Sequence, residues 1–353
     1  MSSATGNTTG KSAGDTAANS AGTAAGTAAG TAAGSATTAF GLAGFIGTGV
    51  MGEPICRHLA TRGGLPVIAS DVDPAPLARL AAHGVKASTI AQISTRADII
   101  FLSLPSGAVV REVILGDGGL LANGRRGQVI VDLSTSPFDL TTELAQRCAE
   151  RGMRFADAPV MRTRAAAEAG TLAVPVGADP TLFAAIEPLL RTFASEVMHM
   201  GKPGCGQVTK ILNNMVVYET VLALCEARAI GVRAGVDPRT LFEAFAAGSA
   251  DSFALRNHGF KAILPQDFPE RAFPVSYARK DLSYAVALAD HVGVDATGAR
   301  NLVATFDAAI ASGWGDLYGP AISLVFEKGG GTKARDPEVP STSGQPMRHE
   351  RDD

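Results

Sequence analysis

One short segment restricts the fold more than any other: the glycine pattern in AFGLAGFIGTGVMG, residues 39–52. An apolar, strand-like run leads into a G-x-G-x-x-G spacing, and residues 53–64 follow with the apolar spacing of a helix. A strand, a glycine turn and a helix in this order bind the pyrophosphate of a dinucleotide. The first glycine permits the turn, the second admits the phosphates, and the third lets the helix pack on the strand. The predicted cofactor contacts here are Ile46, Gly47, Thr48, Gly49, Val50, Met51 and Gly52.

The next predicted strand, PVIASD, ends in an acidic residue, Asp71, which lies 19 residues after Gly52. That distance is close to the ~20 residues expected for the carboxylate that binds a ribose hydroxyl of NAD. A carboxylate at this position would repel the 2′-phosphate of NADP, so the sequence favours NAD. The alternative is that Asp71 only caps the helix that begins near Pro74.

Strand-like and helical segments continue to alternate after Asp71. The runs IIFLSLP (99–105), VIVDL (129–133) and RFADAPV (154–160) are typical of buried strands, and helical stretches lie between them. This repetition predicts an α/β fold with a Rossmann-type, doubly wound parallel sheet. Ligands bind at the carboxyl ends of the strands in such sheets. The loops expected there are Leu104-Pro105, Ser134-Thr135-Ser136 and the segment after Val160.

The second half of the chain, from about residue 203, has the pattern of a helical domain. It opens with a long helix candidate in which apolar residues recur at helical spacing. Lys210 and Asn214 are four residues apart and therefore lie on one helix face. Together they could supply a proton donor and an orienting hydrogen-bond partner to one substrate. The alternative is a solvent-facing lysine beside a structural asparagine. His199, just before this helix, is interpreted as structural.

The composition fits a globular protein of two domains. The 353 residues are 46% hydrophobic and 18% charged, with a formal net charge of -3. We therefore expect no nucleic acid and no acidic membrane surface as a partner. The four cysteines and six histidines show neither CxxC nor metal-ligand spacing, so we predict reduced thiols and no metal site.

The two ends of the chain differ from the part between them. Residues 1–38 are almost wholly Ala, Gly, Thr and Ser, and residues 329–353 are polar, so we predict two disordered tails. Between them we predict an NAD-binding domain over 39–201 and a helical substrate and oligomerisation domain over 202–328. Neither a signal peptide, an arginine-rich transit peptide nor an apolar run of ~18 residues is recognisable, so we expect a cytoplasmic protein.

Four motifs, in this order along the chain, resemble those of the β-hydroxyacid dehydrogenase family, which includes 3-hydroxyisobutyrate dehydrogenase. They are GFIGTGVMG, DLSTS, GCGQVTKILNN and KDLSYAVALA, and the resemblance covers nearly all of residues 40–328. It implies that Lys210 is the general acid in aldehyde reduction and the base in alcohol oxidation. It also implies that Asn214 orients the substrate. The other implied roles are substrate binding by Ser134 and cofactor binding by Thr135, Leu104, Pro105 and Lys280.

One loop departs from the family pattern. Most relatives have Ser-Gly-Gly after DAPV, whereas this chain has Met161-Arg162-Thr163. This segment resembles the corresponding loop of sulfolactaldehyde reductases, and the resemblance implies that Arg162 and Thr163 bind the anionic group of the substrate. A guanidinium suits a carboxylate or a sulfonate equally. The alternative is that Arg162 lies at the surface, as we expect for Arg164.

The leading hypothesis is therefore an NAD-dependent dehydrogenase that interconverts a small anionic hydroxy acid and its semialdehyde. The runner-up is a 3-sulfolactaldehyde reductase, and a more remote alternative is a non-catalytic NAD-binding module. Lys210 argues against the last of these and against an imine reductase, because such proteins typically lack the lysine. The resemblance also implies a homodimer or homotetramer.

Overall fold

The computed structural model describes residues 39–270 and 272–327, so the two predicted tails lie outside the described residues. The strands are β1 (Ala43–Ile46), β2 (Val67–Ser70), β3 (Lys86–Ala87), β4 (Ile99–Leu102), β5 (Val129–Asp132), β6 (Arg154–Asp157), β7 (Leu172–Gly177) and β8 (Ala194–Gly201). The helices of the first half are α1 (Gly52–Arg62), α2 (Pro74–Ala81), α3 (Ile90–Arg96), α4 (Gly107–Leu115), α5 (Leu120–Asn123), α6 (Phe138–Glu150), α7 (Arg164–Ala169) and α8 (Pro180–Leu190). Those of the second half are α9 (Cys205–Arg233), α10 (Pro238–Ala247), α11 (Val275–Val292), α12 (Thr297–Ala311) and α13 (Ser323–Glu327), together with a π-helix (Leu255–Ile263) and a 3₁₀ helix (Gly319–Ile322).

All the described strands form one sheet in the order β3-β2-β1-β4-β5-β6-β7-β8. Neighbours are parallel from β3 to β6. The chain reverses its direction of growth across the sheet between β3 and β4, which is the point where ligands bind in doubly wound sheets. The predicted α/β class, with a Rossmann-type sheet followed by a helical domain, is confirmed.

The last two strands were not predicted, and they change the edge of the sheet. Strand β7 runs antiparallel to β6, and β8 is parallel to β7. A bridge between Met161 and Ala173 continues the antiparallel pairing beyond β6. The chain therefore turns back through the short helix α7 instead of crossing the sheet, and the loop that contains Arg162 lies inside this return.

Successive side chains of a strand point to opposite sides of the sheet, and the strands between its two edges are buried on both faces, whereas the edge strands β3 and β8 are largely exposed. In β4, Ile99 and Phe101 pack toward α1 and α8, whereas Ile100 and Leu102 pack toward α3, α4 and α6. This two-sided burial explains why the strands are continuously apolar. It leaves the loops at the strand ends as the places for polar side chains.

The helical half is organised around α9, a helix of 29 residues. Its C-terminal part packs in a second core with α11, α12 and the π-helix, and Phe242, Leu282 and Phe306 are fully buried there. Its N-terminal part packs against β7 and β8. One continuous helix therefore links the sheet to the helical core, and its first turns lie at the border between the two.

No helix in the described part of the chain is long and apolar enough to cross a membrane. Within the same residues, no three His, Cys, Asp or Glu side chains are grouped so that they could hold a metal ion. All four cysteines are free thiols. His199 donates through Nε2 to the Ala178 carbonyl oxygen at 2.8 Å, and its ring stacks on Phe183.

Candidate active site

The glycine turn after β1 leaves open space on one side only. Gly47 has φ of 92°, and a Cβ there would meet the carbonyl oxygen of Ser103 at 2.3 Å. A Cβ on Gly52 would meet the carbonyl oxygen of Gly47 at 2.0 Å, whereas a Cβ on Gly49 would meet no described atom within 4 Å. No side chain caps α1. In its first turn the Glu53 amide donates to the Gly49 carbonyl at 3.0 Å and Pro54 has no N–H, so the Gly52 amide is the donor that could meet an anion that approaches Gly49. The other predicted contacts of this turn are buried (Ile46, Thr48), half-buried (Met51) or exposed (Val50).

Asp71, directly after β2, lies against this turn. Its Oδ2 accepts the backbone amide and the hydroxyl of Thr48, the hydroxyl at 3.0 Å, and its Oδ1 accepts the Asp73 amide at 2.8 Å. The N-cap of α2 is Asp73, which accepts the Ala75 amide at 2.9 Å. Asp71 is therefore not the cap of α2. Its half-buried carboxylate borders the glycine turn, as a ribose-binding carboxylate must.

The DLSTS loop after β5 is organised around the buried carboxylate of Asp132. Its oxygens accept the Ser134 amide at 2.9 Å and the Ser136 hydroxyl at 2.7 Å. Burial raises the pKa of Asp132 to about 6, and these hydrogen bonds act in the opposite direction. The Ser134 hydroxyl accepts the Leu104 amide at 2.9 Å, which joins two of the predicted loops. Thr135 is half-buried and its hydroxyl has no partner among the described residues, so it is more open to a ligand than either serine.

The start of α9 is anchored by Asp157, the last residue of β6. Its buried carboxylate accepts the backbone amides of Gly204 and Gln207, both at 2.7 Å. It thereby satisfies donors that an N-cap side chain would otherwise satisfy. A Cβ on Gly206 would meet the carbonyl oxygen of Asp157 at 2.7 Å, so only glycine permits this close approach. Burial raises the pKa of Asp157 to about 7, and the two amides lower it.

Gln207 connects α9 to the DLSTS loop. The side chain is fully buried. Its Nε2 donates to the Ser134 carbonyl at 2.7 Å, and its Oε1 accepts the Ser136 amide at 3.1 Å. Lys210 lies one turn further along the helix. The position of Lys210 relative to the loop is therefore set by hydrogen bonds that are buried at both ends.

Lys210 and Asn214 lie at the contact between α9 and α11. Asn214 is 8% exposed, and its Nδ2 donates to Oδ2 of Asp281 at 2.7 Å. Asp281 is itself only 2% exposed. Burial lowers the pKa of the half-buried Lys210, the Asp281 carboxylate raises it, and the Lys280 ammonium lowers it further. The structure therefore brings the predicted lysine and asparagine together beside a buried carboxylate.

Lys280, the neighbour of Asp281 in the KDL motif, reaches back to the sheet. Its Nζ donates to the Pro105 carbonyl at 3.2 Å, and the rings of Tyr277 and Tyr284 lie 5.3 and 5.4 Å away. Nζ is also 3.2 Å from Oδ1 of Asp281. That oxygen has no hydrogen bond, so the contact is a purely ionic one. Lys280 thus ties α11 to the loop of Leu104 and Pro105, which is predicted to bind the cofactor.

Arg162 makes contacts other than those implied by the resemblance. Its φ is 81°, in the left-handed region that favours the glycine of most relatives. Its Nη1 donates to the Thr171 carbonyl at 2.6 Å and to the Ser195 hydroxyl at 2.8 Å. These bonds join the Arg162 loop to the segments that begin β7 and β8. Thr163 is exposed at the N-cap of α7 and makes no capping hydrogen bond. Substrate binding by Arg162 and Thr163 stays a prediction, which these contacts do not favour.

Three side chains of this region were not predicted as functional: Asp157, Gln207 and Asp281. Two of them lie inside the motifs described above: Gln207 in GCGQVTKILNN, three residues before Lys210, and Asp281 in KDLSYAVALA, directly after Lys280. An acidic residue beside a motif lysine was the available signal for Asp281. Their partners are 47 to 73 residues away in the chain, so the contacts themselves could not be read from local patterns.

Two family models match the two halves of the chain. The NAD binding domain of 6-phosphogluconate dehydrogenase matches residues 43–201. The model described as the NAD-binding domain of NADP-dependent 3-hydroxyisobutyrate dehydrogenase matches residues 204–321. The junction between the matches coincides with the Gly204 start of α9, where Asp157 anchors the helix.

Relatives of known activity match over most of the chain. 2-(Hydroxymethyl)glutarate dehydrogenase of Eubacterium barkeri is 34% identical over 81% of this chain and 94% of its own. 2-Hydroxy-3-oxopropionate reductase of Escherichia coli is 30% identical over 80% of this chain and 96% of its own. Among solved structures, 3-hydroxyisobutyrate dehydrogenase of Mycobacterium tuberculosis with L-serine superposes with a TM-score of 0.73, at 27% identity over 81% of this chain and 98% of that one.

The fold, the glycine turn and these relatives define the class: the protein is an oxidoreductase that acts on CH–OH groups with NAD(P). Within that class, the chain belongs to the 3-hydroxyisobutyrate dehydrogenase-like β-hydroxyacid dehydrogenase family. The resemblance noted in the four sequence motifs is confirmed.

Proposed function

We propose that the chain is an NAD(H)-dependent dehydrogenase that interconverts a small hydroxy acid and its semialdehyde. The observation that carries this proposal is the position of Lys210. It is a half-buried ammonium beside Asn214 and Asp281, on a helix that Gln207 bonds to the DLSTS loop. A proton donor, an orienting amide and a loop with an open hydroxyl are the groups that carbonyl reduction needs from a protein.

In the reductive direction, the Lys210 ammonium donates a proton to the aldehyde oxygen. Bound NADH supplies the hydride. In the oxidative direction, the neutral Lys210 amine accepts the proton of the hydroxyl group. Asn214 is held by its hydrogen bond to Asp281 and orients the substrate oxygen toward Lys210. Lowering of the Lys210 pKa by burial makes the ammonium a better proton donor.

The charges around Lys210 favour an anionic substrate. Two ammonium groups, of Lys210 and Lys280, face one carboxylate, of Asp281. The excess positive charge is partly shielded from solvent, where it attracts an anion more strongly than it would at the surface. Thr135 lies on the loop that Gln207 bonds to the helix of Lys210, so we assign it and Ser134 to the same ligand region.

We further propose NAD as the preferred cofactor. The carboxylate of Asp71 follows β2 and bonds Thr48 of the glycine turn. In this proposal it accepts ribose hydroxyls and would repel a 2′-phosphate. Gly49 provides the open approach that a pyrophosphate requires.

The anionic group is a carboxylate in this proposal. Both relatives named above are called after carboxylic acids. The 3-sulfolactaldehyde reductase alternative requires Arg162 at the substrate, and its guanidinium is bonded to Thr171 and Ser195 instead. Both hydrogen bonds are made by Nη1, so a sulfonate could reach Arg162 only through the remaining guanidinium donors, Nε and Nη2.

NADH oxidation over a panel of aldehydes tests the proposal. The panel is methylmalonate, tartronate and succinate semialdehydes and sulfolactaldehyde, each with NADH and NADPH in parallel. We expect turnover with at least one carboxylate semialdehyde and a lower KM for NADH than for NADPH. Preference for sulfolactaldehyde would favour the alternative, and NADH binding without any turnover would favour a non-catalytic module. A native mass measurement tests the dimer or tetramer implied by the resemblance.

A further inference from the structure

A tyrosine continues the row of polar side chains that begins with Lys210. Lys210, Asn214 and Tyr218 are spaced by four residues along α9 and lie on one side of the helix. Tyr218 is only 5% exposed, and the Asp281 carboxylate is close enough to act on its pKa. Tyr218 therefore shares a helix face with Lys210 and Asn214 and lies within the electrostatic reach of Asp281.

The ring of Tyr218 is fixed from several sides. It stacks on Phe273, with ring centroids 6.2 Å apart, and meets the edge of Phe306 at 5.4 Å. A Cβ on Gly319 would lie 3.0 Å from the Tyr218 hydroxyl. These contacts would hold a phenylalanine equally well. The packing of the ring explains why the residue is aromatic, and it does not explain why the residue has a hydroxyl.

The hydroxyl itself has no hydrogen-bond partner among the described residues, and it is not one of the polar atoms sealed from solvent. The nearby Tyr318 differs, because its hydroxyl lies 2.8 Å from Nδ1 of His258. Burial raises the pKa of Tyr218 well above its usual value, and the Asp281 carboxylate acts in the same direction. The group thus stays a neutral O–H that can both donate and accept.

We propose that the Tyr218 hydroxyl binds a neutral oxygen substituent of the substrate, so that the enzyme prefers a hydroxyl-bearing semialdehyde to an alkyl-bearing one. This inference rests on the proposed function. A second carboxylate at Tyr218 is disfavoured by the charge of Asp281, whereas a hydroxyl is not. A site built to bond a hydroxyl discriminates against the analogue that lacks it, because a protein group is then left without its partner.

Two semialdehydes that differ at one position test the inference. Tartronate semialdehyde carries a hydroxyl where methylmalonate semialdehyde carries a methyl group, and both have the aldehyde and the carboxylate. The wild-type protein and Tyr218→Phe are compared on both substrates, at saturating NADH, by kcat/KM. We expect Tyr218→Phe to lose about 10-fold on the hydroxyl substrate, as for one lost hydrogen bond. We expect less than about a threefold change on the methyl substrate.

Tyr318→Phe is the matched control, because it removes a tyrosine hydroxyl that already has a partner. It is expected to change both substrates by the same factor. If Tyr218→Phe changes kcat/KM equally for both substrates, or for neither, the inference is overturned. The proposed function would still stand in that case, because the wild-type protein turns over a semialdehyde. Absence of wild-type turnover on the entire aldehyde panel would overturn both.

Discussion

At the scale of single residues, the protonation of Lys210 depends on two charged neighbours with opposite effects. Burial lowers its pKa, Asp281 raises it and Lys280 lowers it. A general acid must be protonated before it reacts, so reduction requires the ammonium form. The rate of reduction therefore falls as the pH rises through the lowered pKa, and the rate of oxidation rises over the same range.

We predict opposite shifts of this pH profile in two variants. Lys280→Ala removes a like charge, raises the Lys210 pKa and moves the alkaline decline of reduction to higher pH. Asp281→Asn removes the attracting charge and moves the decline to lower pH. The measurement is kcat for reduction against pH, at saturating NADH and substrate. Two profiles that coincide with the wild type would show that these charges do not act on the group that titrates.

Asp71 determines the choice of cofactor in this account. We predict that Asp71→Ala raises KM for NAD by about 10-fold or more, because a lost charge-assisted hydrogen bond costs ~1.5–3 kcal/mol. The ratio of KM for NADP to KM for NAD should fall, because the carboxylate that repels the 2′-phosphate is removed. Asp73→Asn is the control: it weakens the cap of α2 and should lower stability more than it changes selectivity. Unchanged KM for both cofactors in Asp71→Ala would be the opposing result.

Substitution of Arg162 distinguishes a role in supporting its loop from a role in binding the substrate. Because its guanidinium bonds Thr171 and Ser195, we predict that Arg162→Ala changes kcat/KM by the same factor for an anionic aldehyde and for an uncharged one of similar size. Arg164→Ala, on the exposed side of α7, is the control. A loss of about 10- to 150-fold confined to the anionic aldehyde, as for a charge-assisted hydrogen bond to the substrate, would restore the substrate-binding prediction.

At the scale of elements, α9 is joined to the sheet through its first turns. Asp157 accepts two amides of the helix, and Gln207 bonds two backbone groups of the DLSTS loop. The helix carries Lys210, the proposed proton donor, and the DLSTS loop carries Thr135, so these bonds fix the distance between Lys210 and that loop. A helix that pivoted about this point would separate the two.

We predict that Gln207→Met lowers both stability and turnover. Methionine has a similar length but leaves the Ser134 carbonyl and the Ser136 amide buried without partners, at ~1–3 kcal/mol for each group. Urea unfolding measures the first effect and kcat at saturating NADH the second. Gln146→Met, on the exposed side of α6, is the matched control and should change the unfolding free energy by less than about 0.5 kcal/mol. Full stability in Gln207→Met would contradict the assigned role.

At the scale of the whole molecule, local patterns were sufficient for some features and insufficient for others. The glycine turn, the parallel strands β1, β2, β4, β5 and β6 and the helical second half are encoded in periodicity and short motifs, and each was predicted. Strand β3, which has only two residues, both exposed, was not predicted. The antiparallel return through β7 was not, because LAVPVG contains a proline and has no polar alternation that would mark a strand. Its pairing with β6 is a contact between segments, which no single window contains.

The candidate site shows the same division. Lys210 and Asn214 share a helix face, so their proximity follows from spacing. The bond between Asn214 and Asp281 spans 67 residues, and that between Gln207 and Ser134 spans 73. Such contacts depend on how α9 packs between the sheet and α11. A local sequence pattern does not contain this packing, so these contacts could not be predicted from the motifs.

We propose that Lys210 transfers the proton, and the variant Lys210→Ala tests this role. Lys210→Ala is compared with Lys202→Ala, an exposed lysine just before α9, by single-turnover reduction of the preferred semialdehyde and by NADH binding. We predict that Lys210→Ala lowers the rate by ~10²–10⁴-fold, the usual contribution of general acid catalysis, while NADH binds as tightly as in the control. A Lys210→Ala protein that keeps more than about a tenth of the control rate would contradict it.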